Sequence, residues 1–316
     1  MPLIQSSYSP SSFLAKNPHL STIFPNLFRK VQTPSYKSFC ITASDGEHLH
    51  VNQIERDRES LAIITHGAEG SSQKAYIKGM INYLDQNEID SLVWHLRGCG
   101  PFGKQQRRFY NLSDSHDLDS VVNYASQKKY KHIFLIGFSL GGLLLLNYLG
   151  HDGFIKPTTL RKAVALSTPF DTEKVVKNLT KGLNQIYNQY FLFSMKNKLF
   201  KKESRLKEKL NVLLIKNLIQ IDDITTMPLF SFDSLSAYYD NFNPQKTLES
   251  INTPTLIINA LNDPILSPDC YPYKTCENHP HLFLETPKYG GHVGFLENSL
   301  QTDYWSERRV LSFLRD

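Results

Sequence analysis

Cysteine is scarce in this chain: four residues, at 40, 99, 270 and 276, among 316. None forms a CxxC pair, and none stands near a histidine at zinc-finger spacing. Neither a disulfide framework nor a structural zinc site is expected, and the thiols read as reduced. HExxH, EF-hand and P-loop patterns are absent, so no metal, nucleotide or other cofactor is called for. A long unbroken apolar run is missing too. The most apolar stretch, IFLIGFSLGGLLLLNYLG at 133–150, approaches the roughly 20 residues of a membrane span, yet Ser139, internal glycines and Asn147 interrupt it. A strand, a tight turn and a buried helix explain it better. The opening MPLIQSSYSPSSFLAKNPHL has no basic region followed by an apolar one, so it does not read as a secretory signal. The expectation is a cytoplasmic protein, at most peripheral at a membrane. Internal repeats and low-complexity tracts are also lacking.

What is present is a globular composition. Apolar residues make up 41%, aromatics 12% and charged residues 21%, which excludes global disorder. The net charge of +5 is too mild to argue for nucleic acid. Short apolar runs at 61–65, 92–96, 133–136, 163–166, 255–259 and 282–284 alternate with helical spacings, as at 75–84, 118–125 and 304–313. This pattern predicts an α/β fold with a mostly parallel sheet covered on both faces. Two further runs, 38–43 and 49–54, flank the turn residues Asp45-Gly46 and predict an antiparallel edge. From 171 to 240 no strand pattern appears. Leu183, Ile186, Tyr187, Tyr190 and Phe191 recur at helical spacing there, which predicts an amphipathic helix within a helical cap. The expected organisation is an N-terminal arm at 1–30, a core at 31–170 and 241–316, and a cap or lid at 171–240.

The sharpest motif is Gly137-Phe138-Ser139-Leu140-Gly141, a GxSxG between an apolar strand and an apolar helix. That context makes a nucleophile elbow, with the Ser139 hydroxyl exposed at a strand's carboxyl end. A serine hydroxyl needs a base, and the base needs an orienting acid. In chain order the candidates are Asp263, after the run TLIINALN, and His292, within the glycine loop GGHVG. Asp222, Asp223, Asp233 and Asp269 are weaker candidates for the acid. The backbone amides of Leu140 and of Ala68, in the turn His66-Gly67-Ala68-Glu69-Gly70, are the expected oxyanion donors. His66 is expected to brace that turn. Arg97 either ties loops together or meets a substrate carboxylate, with the structural role favoured. Cys99 has no evident base and reads as structural.

These motifs carry a resemblance. NPHLSTIFP at 17–25, HGAEGSS at 66–72, HLRGCG at 95–100, GFSLGG at 137–142, IDDITT at 221–226 and GGHVGF at 290–295 resemble the YheT-like branch of the α/β-hydrolases. The abhydrolase-domain proteins that act on lipid esters are relatives of that branch. The resemblance implies an α/β-hydrolase fold with Ser139, Asp263 and His292 as nucleophile, acid and base. The chain departs from the family pattern at Ala68, at Gly100 and within 109–118, and these positions bear on the acyl pocket. An N-terminal membrane anchor known in some relatives has no counterpart segment here and is not carried over.

The resulting expectation is a serine hydrolase cleaving carboxylic esters, with a short- to medium-chain or lipid-derived acyl group, through an acyl-enzyme on Ser139. Its partner would be a small-molecule ester with an apolar acyl chain, and no nucleic acid. An acyltransferase using the same triad and a catalytically silent binding protein of this fold are the alternatives. Residues 171–220 hold eleven basic side chains against four acids, an excess larger than that of the whole chain. That excess is either a solvated face or a contact for anionic membrane or substrate.

Overall fold

The computed structural model describes residues 2–103, 105–202, 211–297, 300 and 303–316. Glu203, Arg205, Lys207, Glu208 and Lys209, five of the charges counted above, lie outside the described residues. The described strands are β1 (Leu3–Ile4), β2 (Lys37–Thr42), β3 (His48–Ile54), β4 (Ser60–Thr65), β5 (Asp90–Trp94), β6 (His132–Phe138), β7 (Leu160–Leu166), β8 (Thr255–Ile258) and β9 (Leu282–Glu285). They form one nine-stranded sheet in the order β1-β9-β8-β7-β6-β4-β5-β3-β2. The pairings from β1 through β5 are parallel, while β3 runs antiparallel to both β5 and β2. The expected antiparallel edge is therefore there, closed by a turn in which Gly46 has φ +81°.

Alternation along the central strands builds two cores. Leu61 and Ile63 of β4 join the side covered by helices Ser115–Ser126 and Leu140–Gly150. Ala62 and Ile64 point to the other side, covered by helices Ala75–Gln86 and Trp305–Arg315. A strand buried on both faces has no polar alternate positions, so its sequence reads as a continuous apolar run. β5 begins two residues earlier than its apolar run because Asp90 and Ser91 are buried. Asp90 is compensated there by the amide of Arg56 and the hydroxyl of Tyr130, which donate to it at 3.1–3.2 Å. β1 is only two residues long and left no periodic signal.

Between β7 and β8 the described elements are helical, including Thr172–Leu179, Gln185–Lys202, Leu218–Thr225 and Leu235–Asn241. Helix Gln185–Lys202 differs from the expectation in one respect. Tyr187 is buried and Phe191 half-buried, but Leu183, Ile186 and Tyr190 are exposed. Spacing identified an apolar stripe without saying which stripe faces inward. Among the described residues no helix is long and apolar enough to cross a membrane.

Candidate active site

Four loops leave the carboxyl ends of β4, β6, β8 and β9 and meet on one rim of the sheet. Ser139 stands between β6 and helix Leu140–Gly150 with φ +53° and ψ −121°. A non-glycine residue in that region costs about 1–3 kcal/mol and persists only where its surroundings fix it. The sharp turn thus resides in Ser139 itself. The flanking glycines serve close approach instead: a methyl group on Gly141 would lie 2.7 Å from the His66 carbonyl oxygen, and one on Gly137 would lie 2.7 Å from the Gly142 Cα. The helix N-terminus beneath Ser139 presents amide groups and a positive dipole end.

The rim brings Ser139, His292 and Asp263 together. The Ser139 hydroxyl donates to His292 Nε2 at 2.9 Å. His292 Nδ1 donates to Asp263 Oδ2 at 2.8 Å. An ionised carboxylate only accepts, so this pairing places the ring proton on Nδ1 and leaves Nε2 free to take the serine proton. The other oxygen of Asp263 accepts from the amides of Ile265 and Leu266 at 2.9 and 3.2 Å. The carboxylate is therefore held in place on both sides. The alternative acids do not reach this ring. Asp223 and Asp233 are exposed, and Asp269 pairs with Lys174 at 3.1 Å. Asp222 accepts from the Tyr239 hydroxyl at 2.6 Å, and burial pushes its carboxyl up to about 6.

The histidine loop is anchored by residues that sequence reasoning did not single out. The His292 amide donates to Thr22 Oγ1 at 2.8 Å, the Val293 amide to Ser167 Oγ at 2.9 Å, and the Gly291 amide to Asn262 Oδ1 at 3.0 Å. Thr22 belongs to helix Pro18–Phe28, within the NPHLSTIFP segment. That motif was the available signal, but its partner lay too far along the chain to name.

The Ala68 loop is fastened from beneath by histidines. His66 Nδ1 donates to the Gly67 carbonyl at 2.7 Å while its Nε2 accepts from the Leu96 amide at 3.3 Å. Complete burial lowers the His66 pKa to about 3, so the ring is neutral and braces the turn. His95 Nε2 accepts from the Ser72 amide at 3.2 Å, and burial lowers its pKa to about 4. Arg97 ties loops together, donating to Asp117 at 2.6–2.7 Å and to Asp45 at 2.7–3.0 Å. Cys99 is buried, which pushes its thiol up to about 12 and argues against nucleophilic use.

Glu69, next to Ala68, is a further residue that sequence reasoning missed. Its buried carboxylate accepts from Lys198 Nζ at 2.8 Å and from the Ser194 hydroxyl, both on helix Gln185–Lys202. Glu69 itself has φ +55°. One side chain therefore couples that helix to the loop bearing the expected oxyanion donor.

Two cavities meet at Ser139 and His292. One, of about 130 Å³, lies among apolar side chains such as Leu143, Val176, Leu179 and Met195, with Asp222 at its wall. The other, of about 420 Å³, opens between Ile23, Leu27, Tyr76 and Ile186. Ala68, Phe191 and Ile265 border both.

A family model described as the alpha/beta hydrolase fold matches residues 63–299. The chain belongs to the α/β-hydrolase family. YheT of Escherichia coli is 27% identical over 94% of this chain and 90% of its own length. Phospholipase ABHD3 of Bos taurus is 26% identical over 94% of this chain and 75% of its own length. The crystal structure of the Pyrococcus furiosus esterase Pf2001 superposes with a TM-score of 0.60 over 96% of this chain and 97% of that one. At 18% identity that likeness is one of fold. Within the α/β-hydrolase family the chain thus sits with the YheT-like, abhydrolase-domain branch. The sheet order and the strand–turn–helix at Ser139 are those of an α/β-hydrolase.

Proposed function

We propose that the protein is a serine hydrolase acting on carboxylic esters, and that residues 171–240 form a cap over the core at 31–170 and 241–316. The observation that carries this reading is the unbroken relay from Ser139 through His292 to Asp263, set where two cavities meet. His292 takes the Ser139 proton as Oγ attacks the ester carbonyl carbon. The carbonyl electrons move to oxygen, where the amides of Leu140 and Ala68 stabilise the charge. Asp263 keeps the imidazole oriented and stabilises the imidazolium. His292 then gives its proton to the leaving alkoxide, and the acyl group rests on Ser139. Water, deprotonated by His292, attacks the acyl-enzyme and releases the acid.

The smaller apolar cavity suits the acyl chain, of short to medium length or lipid-derived, and the wider opening suits the alcohol portion. The name of a related protein supports this direction: ABHD3 is a phospholipase. Ser139→Ala is expected to lower hydrolysis of p-nitrophenyl esters by at least about a thousandfold. It is also expected to abolish labelling by a fluorophosphonate probe. Undiminished hydrolysis by the variant would sink the assignment.

A further inference from the structure

Helix Gln185–Lys202 has two apolar faces. Tyr187, Leu192, Met195 and Leu199 are buried against the rest of the molecule. A second stripe begins just before the helix and follows spacings of three and four residues: Leu183 is 66% exposed, Ile186 57%, Tyr190 52% and Phe193 71%. Residues so spaced lie along one side of a helix. Leu27, on helix Pro18–Phe28, is 69% exposed and lines the same cavity mouth as Ile186 and Tyr190. An apolar surface of this kind, in contact with solvent at the entrance to a site, marks an interaction face.

The charges say what it meets. Helix Gln185–Lys202 contains four lysines and no acid, and one of the four, Lys198, is spent on the inward pair with Glu69. Lys201 at its end and Lys181 just before its start are exposed beside the stripe. A helix with bulky apolar residues on one side and lysines flanking them matches the headgroup and acyl boundary of a bilayer bearing negative charge. A second copy of the same face would bring the lysines against lysines.

We propose that this stripe, with Leu27, docks the protein on an anionic lipid surface, so that the mouth of the Ser139 cavity opens toward the membrane. The proposal takes its purpose, delivery of a lipid ester to Ser139, from the hydrolase reading, but its test does not depend on that reading. Wild-type protein should co-sediment with vesicles of phosphatidylcholine and phosphatidylglycerol, weakly with phosphatidylcholine alone, and less at high salt. Leu183→Ser combined with Phe193→Ser should weaken vesicle binding at least about tenfold. Hydrolysis of a water-soluble acetate ester and the melting temperature should stay at wild-type values. Lys181→Glu combined with Lys201→Glu should weaken binding about tenfold on anionic vesicles only. Ser139→Ala should bind vesicles like wild type. Vesicle binding in a protein without esterase activity would leave the docking face standing and remove the hydrolase reading.

Three results would overturn the proposal. The wild-type protein could stay in the supernatant with anionic vesicles. The stripe variant could bind as well as wild type. Light scattering could show a wild-type dimer that the stripe variant dissolves, which would make this face a self-interface.

Discussion

Helix Leu140–Gly150 and helix Gln185–Lys202 both have apolar residues on more than one face, yet they lie in opposite surroundings. The first is buried at every residue, and Asn147, its polar member, donates to the Phe242 carbonyl at 2.9 Å. The second buries one side and leaves the other exposed, with exposed lysines at its end. The first has glycines at the points where backbone meets backbone, and no charge. The second has long basic side chains that hold it at the surface. Apolar residues on more than one face thus mark a central helix in one case and, under the docking proposal, a helix with a second partner in the other. Ser139 stands at the start of the buried helix, while residues of the exposed one border the wider cavity beside it.

Changes near the buried helix should break chemistry outright. Asp263→Asn keeps the shape of the site but lets Nδ1 of His292 lose its fixed proton, and kcat is expected to fall by about 10⁴-fold. Titration of fluorophosphonate reactivity alongside kcat would check this. A variant within a few-fold of wild type would mean that another group orients the ring.

Changes at the junction of the two regions should cost less. Glu69→Ala cuts the link between helix Gln185–Lys202 and the Ala68 loop, and it leaves Lys198 without its carboxylate. The expected result is a kcat about tenfold lower with KM little altered, because a positioning group acts mostly in the transition state. An effect confined to KM would place Glu69 in substrate binding instead.

Changes on the surface side should alter preference more than rate. Val176→Phe fills part of the smaller cavity. The ratio of kcat/KM for acetate over octanoate esters is expected to rise about tenfold. An unchanged ratio would show that the acyl chain lies in the wider cavity.

The smallest effect concerns Asp222. Its folded pKa, raised to about 6 from 3.8 by burial, is above its unfolded value. The stability it contributes is present in acid and is lost as pH rises from about 4 through about 6. Asp222→Asn removes that pH-dependent loss. The melting temperature of the variant relative to wild type should therefore be higher at pH 7.5 than at pH 4, by a few degrees. A difference constant with pH would show that the carboxyl is not held in its neutral form.

Much of the scaffold was readable because burial on both faces writes itself as consecutive apolar residues, as in β4 and β6. The candidate site was readable because GxSxG, an acid and a histidine follow in order, each after a strand. What escaped reading depended on distance or on direction. Thr22 and His292 are 270 residues apart, and no local pattern links them. Asp90 hid the start of β5 because a compensated buried carboxylate looks like a loop residue. The stripe through Leu183, Ile186 and Tyr190 has the right period for a buried face, but period alone does not choose between core and solvent. Glu69 looked like a turn residue until its partners on a separate helix were known.

Contacts between segments far apart in the sequence also set a schedule. Leu3 pairs beside Leu284, Thr22 holds the His292 loop, and Arg29 forms a buried ion pair at 2.7 Å with Glu307, 278 residues away. On a ribosome, the first thirty residues would emerge long before any of these partners exists. The turn at Ser139 could form early, but His292, its proposed base, would have no fixed seat until β9 and helix Trp305–Arg315 had been made. Under the proposed reading, synthesis itself would then keep Ser139 idle until residues 282–315 have been made.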